Sequence, residues 1–594
     1  MRERVADFII NQVEAAGSTD IFFVPGTGCM YLVDALIRNK RVHGINMNHE
    51  QAAGMAALTY GQIKNTIGTC IVTTGCGGTN AITALLHAWQ DSIPCVFISG
   101  QVDRNHTIHN SDIPVRQFGR QEADITKIVS SISKYSVMLN DLDKVVYEVE
   151  KALYIAVSGR KGPVWIDVPM DIQNAIIEID EMEHYIPNHI EYKLENRDKD
   201  YVIEALKKAE RPVILAGNGI RLSNAEEDLK RFIERYKIPF VYSRLGHDLI
   251  DTDYPLSIGM IGMLGATRAG NFCIQNSDLI LCIGCRLSIN TTGEEYEKFA
   301  RAARLIVVDI DKEEHQKQTV KIDYFISCDA GVFLKSLITE LPKKSYEKWV
   351  EKCCHWKKTM PVCLDKEEKR NKIGMYSFVE ALSQALPPDG IVVCDAGDVY
   401  YTVTSGIRIK EGQRSITSGA QAEMGYALPG GIGASFAATE RTICVVNGDG
   451  SFMMNLQELA TISLYQLPIK IFILNNNGYA GIRRLHKDRF RRYIGCDKEG
   501  GLGLPDLKKV AYGFDIPYCC IEGEEGLASK IKEVFKEKGP MLCEVMCTEQ
   551  QKVLMVSSII NQQKHFIVRP LEDQAPFLPR DVFLSEMVID AIDQ

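Results

Sequence analysis

Residues 442–480 read TICVVNGDGSFMMNLQELATISLYQLPIKIFILNNNGYA. An apolar run (Thr442–Val446) leads into Gly448-Asp449-Gly450-Ser451, a helical pattern covers Asn455–Ser463, and a second apolar run (Lys470–Leu474) ends at Asn475-Asn476. Strand, turn, helix and strand in this order make a parallel crossover unit. Both polar loops then lie at the carboxyl ends of neighbouring strands, the edge where such sheets bind ligands. The residue types suit a phosphate and a hard cation. Glycines let a backbone approach phosphate oxygens, and a helix N-terminus offers free N–H groups. Mg²⁺ takes oxygen ligands, one or two from protein and the rest from phosphates and water. Asp449 offers a carboxylate, Asn476 an amide oxygen and Gly478 a backbone carbonyl. Alone, the Gly-Asp-Gly triplet reads equally well as a plain turn. The asparagine pair after the next strand makes the ligand reading the stronger one.

The same alternation extends outward through almost the whole chain. Strand-like runs recur at Thr69–Thr73, Cys95–Ser99, Val164–Val168, Val213–Ala216, Leu279–Ile283, Leu305–Ile310 and Ile391–Cys394, with helical patterns between them. This predicts an α/β protein with three doubly wound parallel-sheet domains. Two stretches break the rhythm. Ile179–Asp200 is charged and contains Pro187, so it reads as a linker, and Leu341–Lys372 reads as a helical, solvated connection. Cutting there gives an N-terminal unit near residues 1–185, a central Rossmann-like unit near 195–345 and a third near 370–594. The segment after Gln551, with Pro570, Pro576 and Pro579, is expected to pack over other units.

Bulk properties set limits. The chain has 594 residues, 45% of them hydrophobic and 24% charged, too many for one core and ordinary for a globular protein. A formal net charge of -9 argues against general attraction to nucleic acid or to an anionic membrane. No apolar run approaches the about 18 residues of a membrane span. At the N-terminus, Arg2, Glu3, Arg4 and Asp7 alternate with Val5, Phe8, Ile9 and Ile10, an amphipathic helix unlike a secretory signal, so a cytoplasmic location is expected. The 18 cysteines are scattered and read as free, mostly buried thiols.

The spacing of the Gly-Asp-Gly and Asn-Asn elements resembles the signature of thiamine diphosphate-dependent enzymes. A distant carboxylate is then required, and Asn48-His49-Glu50-Gln51-Ala52-Ala53-Gly54 resembles that family's glutamate segment. The resemblance implies that Glu50 bonds N1′ of the cofactor's aminopyrimidine, a task suited to a carboxylate whose pKa is raised by burial. Other segments resemble the acetolactate synthase and pyruvate decarboxylase branch over nearly the whole chain. Val24-Pro25-Gly26 and Thr73–Asn80 resemble loops beside the pyrimidine, and Arg120-Gln121-Glu122 would bring Gln121 to the reacting adduct. In Glu423-Met424-Gly425-Tyr426, Met424 would be the wedge that bends the cofactor, and the carbonyl of Ala422 would hold its 4′-amino group. Gly397, Asp398, Gly448, Asp449, Gly450 and Ser451 would contact the diphosphate, with Asp449, Asn476 and Gly478 as the Mg²⁺ ligands. In this family the cofactor lies between the first and third domains of different subunits, which implies a homodimer or a dimer of dimers.

Two positions depart from acetolactate synthases. Asn290 stands where that subfamily has an arginine that helps hold the second keto acid, and Leu485 where it has a tryptophan shaping the acceptor pocket. A carboxylate is best gripped by a bidentate arginine. The resemblance therefore implies a carboligase that forms an acyl carbanion from a 2-keto acid, pyruvate by analogy, and adds it to another carbonyl acceptor such as a keto-sugar. The alternatives are a non-ligating decarboxylase or C–C hydrolase, a flavin oxidase, and a catalytically silent nucleotide-binding scaffold. His87-Ala88-Trp89-Gln90 is not the histidine pair of the decarboxylases, which favours ligation. FAD stays open: Gly217-Asn218-Gly219 and Gly284-Cys285-Arg286 fit it, and fit a structural Rossmann-like unit equally well.

Overall fold

The computed structural model describes residues 1–594 except 112, 189, 341–343, 363–371, 561–565 and 593–594. Its buried strands are short runs of Val, Ile, Leu and Cys covered on both faces, the composition that parallel sheets demand. They form three six-stranded parallel sheets. The first comprises β1 (Asp20–Phe23), β2 (His43–Asn46), β3 (Gly68–Val72), β4 (Cys95–Gln101), β5 (Tyr135–Met138) and β6 (Val164–Pro169), in the order β2-β1-β3-β4-β6-β5.

The second comprises β7 (Pro212–Ala216), β8 (Phe240–Tyr242), β9 (Ser257–Met260), β10 (Leu279–Ile283), β11 (Arg304–Asp309) and β12 (Tyr324–Ser327). Its order, β9-β8-β7-β10-β11-β12, is that of a Rossmann sheet. The third comprises β13 (Ile391–Cys394), β14 (Arg414–Thr417), β15 (Ile443–Gly448), β16 (Lys470–Asn475), β17 (Tyr518–Ile521) and β18 (Met541–Met546). Its order, β14-β13-β15-β16-β18-β17, repeats that of the first sheet.

The first and third sheets share one core. Helix α1 (Glu50–Lys64) of the first lies on helix α2 (Ala427–Ala437) of the third, and small residues make the approach close. A Cβ on Gly433 would lie 2.1 Å from the carbonyl oxygen of Ala56, so only glycine fits there. Thr59 Oγ1 and Tyr426 OH, 2.7 Å apart, tie the same two helices.

The connector is less solvated than its charge suggests. Helix Glu347–Thr359 buries Trp349, Cys353 and Trp356 in the core of the second sheet, because those spacings place all three on one helical face. Of the predicted Leu341–Lys372 stretch, residues 341–343 and 363–371 lie outside the described residues. The linker expected at Ile179–Asp200 stops at Glu195, and Asn196–Lys208 is helix. The C-terminal segment crosses to the second sheet, where Leu571 and Phe583 enter the core and Glu572 pairs with Arg301 at 2.7 Å. The described cysteines are free, and most are buried. Cys282 and Cys285 stand at Cys-x-x-Cys spacing, but among the described residues no three His, Cys, Asp or Glu side chains cluster as a metal site. No described helix is long and apolar enough to cross a membrane.

Candidate functional site

Strands β15 and β16 pair with Gly448 opposite Leu474, so the loops that follow them lie side by side. Asp449 is buried there. One carboxylate oxygen accepts the N–H of Gly450 at 2.7 Å, and the other accepts those of Asn476 at 3.1 Å and Gly478 at 2.9 Å. Burial pushes its pKa up to about 6, against the pull of these N–H groups. The structure thus gathers Asp449, Asn476 and Gly478 at one point. The side-chain oxygen of Asn476 is buried with no hydrogen-bond partner among the described residues. An orphaned amide oxygen beside a buried carboxylate is costly unless something binds it. Two hard oxygen donors fit Mg²⁺, which would complete its shell with phosphate and water. Gly478, at φ +123°, is held so close to Cys496 that a Cβ would lie 2.2 Å from that residue's carbonyl oxygen.

Beside this loop, helix α3 (Gly397–Gly406) begins after β13. Gly397 has φ +69°, and a Cβ built on it would meet nothing within 4 Å, an open cradle next to bare helical N–H groups. The Asp398 carboxylate faces away from open space, paired at 3.3 Å with Arg484. Asp395, which the sequence reading passed over, braces the floor. Fully buried, it accepts N–H groups of Ala396, Gly425 and Ala427 and the amide of Asn447, at 2.7–3.0 Å. Burial raises its pKa, and those donors oppose the rise.

The turn that Asp395 holds carries Ala422 (φ +47°), Glu423, Met424 and Gly425 (φ +85°). Met424 is 38% exposed. Glu423 accepts from Ser418 and lies 2.6 Å from Nδ1 of His87, a fully buried residue of the first unit. Nε2 of His87 lies 3.2 Å from Asp91, an ion pair without hydrogen-bond geometry. Burial alone would lower the His87 pKa, but the two carboxylates override it and hold the value near 10. One signal of this pair is readable in the sequence, a histidine four residues before an aspartate on one helix face. Its partner Glu423 is more than 300 residues away.

In the first unit Glu50 opens α1, with His49 as its cap. Its carboxylate accepts from the Asn80 side chain at 2.9 Å, and Gly77 lies close enough that a Cβ would be 3.5 Å from it. The preceding Asn48 N–H is held at 3.1 Å by Glu458, a buried carboxyl of the third unit whose pKa burial pushes up to about 7. Gln121 is exposed at φ +60°, and its carbonyl caps Gly75 so tightly that a Cβ there would lie 1.9 Å away. Among the described residues no hydrogen bond joins Glu50 to the 448–478 motif of its own chain.

A separate cavity of about 300 Å³ opens at the carboxyl ends of β7, β10, β11 and β12. Its wall includes Gly219, Gly284, Arg286, Asp309 and Asp329, with Arg160 and Lys161 from the first unit and Asn290 at the rim. The two glycine turns touch, since a Cβ on Gly217 would lie 2.1 Å from the carbonyl oxygen of Gly284. This is the switch point of a Rossmann sheet, where nucleotides bind.

Comparison with known proteins agrees with this geometry. Residues 3–125 match the thiamine pyrophosphate enzyme N-terminal TPP binding domain, 200–337 the central domain, and 395–545 the C-terminal TPP binding domain. The chain is 31% identical over 572 residues to a probable acetolactate synthase large subunit of Methanocaldococcus jannaschii, covering 93% of each chain. It is 30% identical over 568 residues to chloroplastic acetolactate synthase 1 of Zea mays, covering 92% of this chain and 86% of that one. It is also 30% identical over 549 residues to the acetolactate synthase isozyme 2 large subunit of Escherichia coli strain K12, covering 92% and 96%. The chain belongs to the thiamine pyrophosphate enzyme family, as an acetolactate synthase-like enzyme dependent on that cofactor.

Proposed function

We propose that the protein is a Mg²⁺-assisted carboligase that takes a two-carbon acyl unit from pyruvate, with release of CO₂, and joins it to the carbonyl carbon of a keto-sugar. The observation that carries the reading is the Asp449–Asn476 pair, one carboxylate and one orphaned amide oxygen at a glycine-lined sheet edge. When bound, thiamine diphosphate supplies the electron sink that decarboxylation of a 2-keto acid requires. The chain's own residues do the rest. Asp449, Asn476 and the carbonyl of Gly478 would hold the cation, and Gly448, Gly450, Ser451 and the backbone at Gly397 and Asp398 would receive the diphosphate. The Ala422 carbonyl would accept a hydrogen bond from the aminopyrimidine, Met424 would pack against the cofactor, and Glu50 would hold a proton at the pyrimidine edge. Gln121 hydrogen-bonds the substrate.

The acceptor assignment is supported by Asn290 and Leu485. Neither can grip a second carboxylate as an arginine would, and Leu485 is 41% exposed, leaving room beside the motif. A homodimer is supported by the placement of Glu50, whose described hydrogen bond stays within its own unit while α1 is packed on its own third unit. A second copy must bring Glu50 to the 448–478 motif. The central cavity suits the nucleotide half of FAD. The three units near 1–185, 195–345 and 370–594 serve as the pyrimidine, central and diphosphate domains.

The test is mass spectrometry of products after purified protein with thiamine diphosphate and Mg²⁺ receives pyruvate and a panel of aldehydes, keto acids and keto-sugars. A product heavier than the keto-sugar by a two-carbon acyl unit is expected. Acetolactate as the sole product, or acetaldehyde without ligation, refutes the assignment. Flavin released by denaturation and resolved by chromatography tests the cavity.

A further inference from the structure

Two residues beyond Gly478, helix α4 (Ala480–Phe490) leaves the motif and runs about 15 Å outward. Its base is anchored. Arg483 donates to the carbonyl of Asn477 at 2.6 Å and lies 3.4 Å from Asp497, and Arg484 holds Asp398. Its far end is not. Lys487, Arg489, Arg491 and Arg492 are exposed and none forms an ion pair with a carboxylate among the described residues, although the Arg489 guanidinium lies over the exposed Phe566 ring at 4.4 Å. Over residues 480–495 six cations face a single carboxylate, Asp488, in a chain whose net charge is -9. Phe490 and Ile494 are exposed within the same run, at 58% and 73%. A solvated helix face would mix signs. A concentrated cationic end, fixed by arginines to the reaction centre, focuses a field on whatever extends outward from the substrate.

A lone carboxylate, as on a keto acid, engages one guanidinium. Four exposed cations without carboxylate partners among the described residues, spread over residues 487–492, match a ligand with several negative charges along its length. We propose that Lys487, Arg489, Arg491 and Arg492 form a subsite for the phosphate groups of a phosphorylated acceptor. The carbonyl that receives the acyl unit then belongs to a sugar phosphate or a nucleoside diphosphate-linked sugar. This rests on the carboligase reading above and names the class of its second substrate.

The experiment uses the holoenzyme saturated with thiamine diphosphate and Mg²⁺. In the kinetic arm, pyruvate is paired with a free keto-sugar, its monophosphate and its nucleoside diphosphate form. In the binding arm, UDP and glucose 6-phosphate are titrated calorimetrically. A preference of at least about tenfold in kcat/KM for a phosphorylated form is expected, the factor for one charge-assisted hydrogen bond. It should collapse toward one in Lys487→Gln/Arg489→Gln/Arg491→Gln/Arg492→Gln. The monophosphate and nucleotide arms tell the two sources apart. Equal use of free and phosphorylated acceptors, or a preference untouched by the fourfold variant, overturns the proposal. So does binding to phosphatidylserine vesicles with no binding of either probe. If pyruvate releases no CO₂ with any partner, the carboligase reading falls, and the binding arm still decides whether the surface takes phosphate.

Discussion

Replacing His87 tests how the turn of residues 422–425 is held to the first unit. The imidazole is fully buried between Asp91 and Glu423, with Tyr426 packed edge-on at 4.9 Å, its hydroxyl turned to Thr59. Desolvation opposes a charge there, yet the two carboxylates raise the pKa from 6.5 to about 10. That gap corresponds to roughly 5 kcal/mol as an upper value. A group whose folded pKa is raised contributes stability that is fully present below its unfolded pKa. The contribution therefore stands at pH below about 6.5 and is lost as pH rises through about 10.

His87→Gln removes the cation and leaves the buried Asp91 and the half-buried Glu423 without it, a loss of roughly 3–5 kcal/mol by analogy with broken buried ion pairs. Denaturant unfolding from about pH 6 to pH 10, read by tryptophan fluorescence, should show native stability declining across this window. The difference between native and variant protein should shrink steadily as pH rises. His87→Gln/Glu423→Gln should recover part of the loss, since both partners then become neutral. Parallel stability curves for native and variant protein across the whole window would refute the reasoning, because they would mean the His87 pKa does not rise on folding.

The remaining predictions are more local. Glu50→Gln should keep the fold and the affinity for thiamine diphosphate while lowering turnover by about two orders of magnitude or more, measured by CO₂ release and calorimetry on the same preparation. Asp449→Ala should abolish the Mg²⁺-dependent part of thiamine diphosphate binding, seen by calorimetric titration with and without the metal. Gly433→Val forces side-chain atoms into the backbone of Ala56, 2.1 Å from the nearest added atom. It should destabilise the shared core by about 3 kcal/mol or prevent folding, checked by soluble yield and denaturant midpoint.

Regular alternation made the fold legible. Leu279–Ile283 and Ile391–Cys394 are strands with the bounds the sequence suggested, and seven more runs agree within two residues at each end. Edge strands such as His43–Asn46 escaped, because HGIN carries too little apolar signal over four residues. The helix expected at Asn455–Ser463 is a 3₁₀ turn at Leu456–Glu458 followed by α-helix at Leu459–Tyr465. Glu458 is turned inward there to hold Asn48, a tertiary demand that no local pattern announces. The Asp449 and Asn476 loops were readable since both follow strong strands within one crossover unit. Asp395 and the His87–Glu423 pair were not, because their meaning depends on partners brought in by packing.

The two sheets with identical strand order use their switch points in opposite ways. In the first sheet the loops after β1 and β3 fill the gap themselves: a Cβ on Gly26 would lie 2.4 Å from Thr73 Oγ1, and one on Gly28 1.9 Å from Thr74 Oγ1. In the third sheet the matching gap, between the loops after β13 and β15, stays open at Gly397. Glycine is present in both, so composition alone could not tell a packing glycine from a ligand-facing one. Only the third sheet can take a phosphate at that point, and the first is left to offer a side chain from its margin, where Glu50 stands. Helix α1 packs on α2 of its own chain and the described hydrogen bond of Glu50 stays within the first unit, so the proposed homodimer would offer that margin to the open third-sheet edge of a second copy. The twin sheets thus divide the labour, the third leaving room for a phosphate and the first presenting a carboxylate, which is the division that the proposed site between two copies requires.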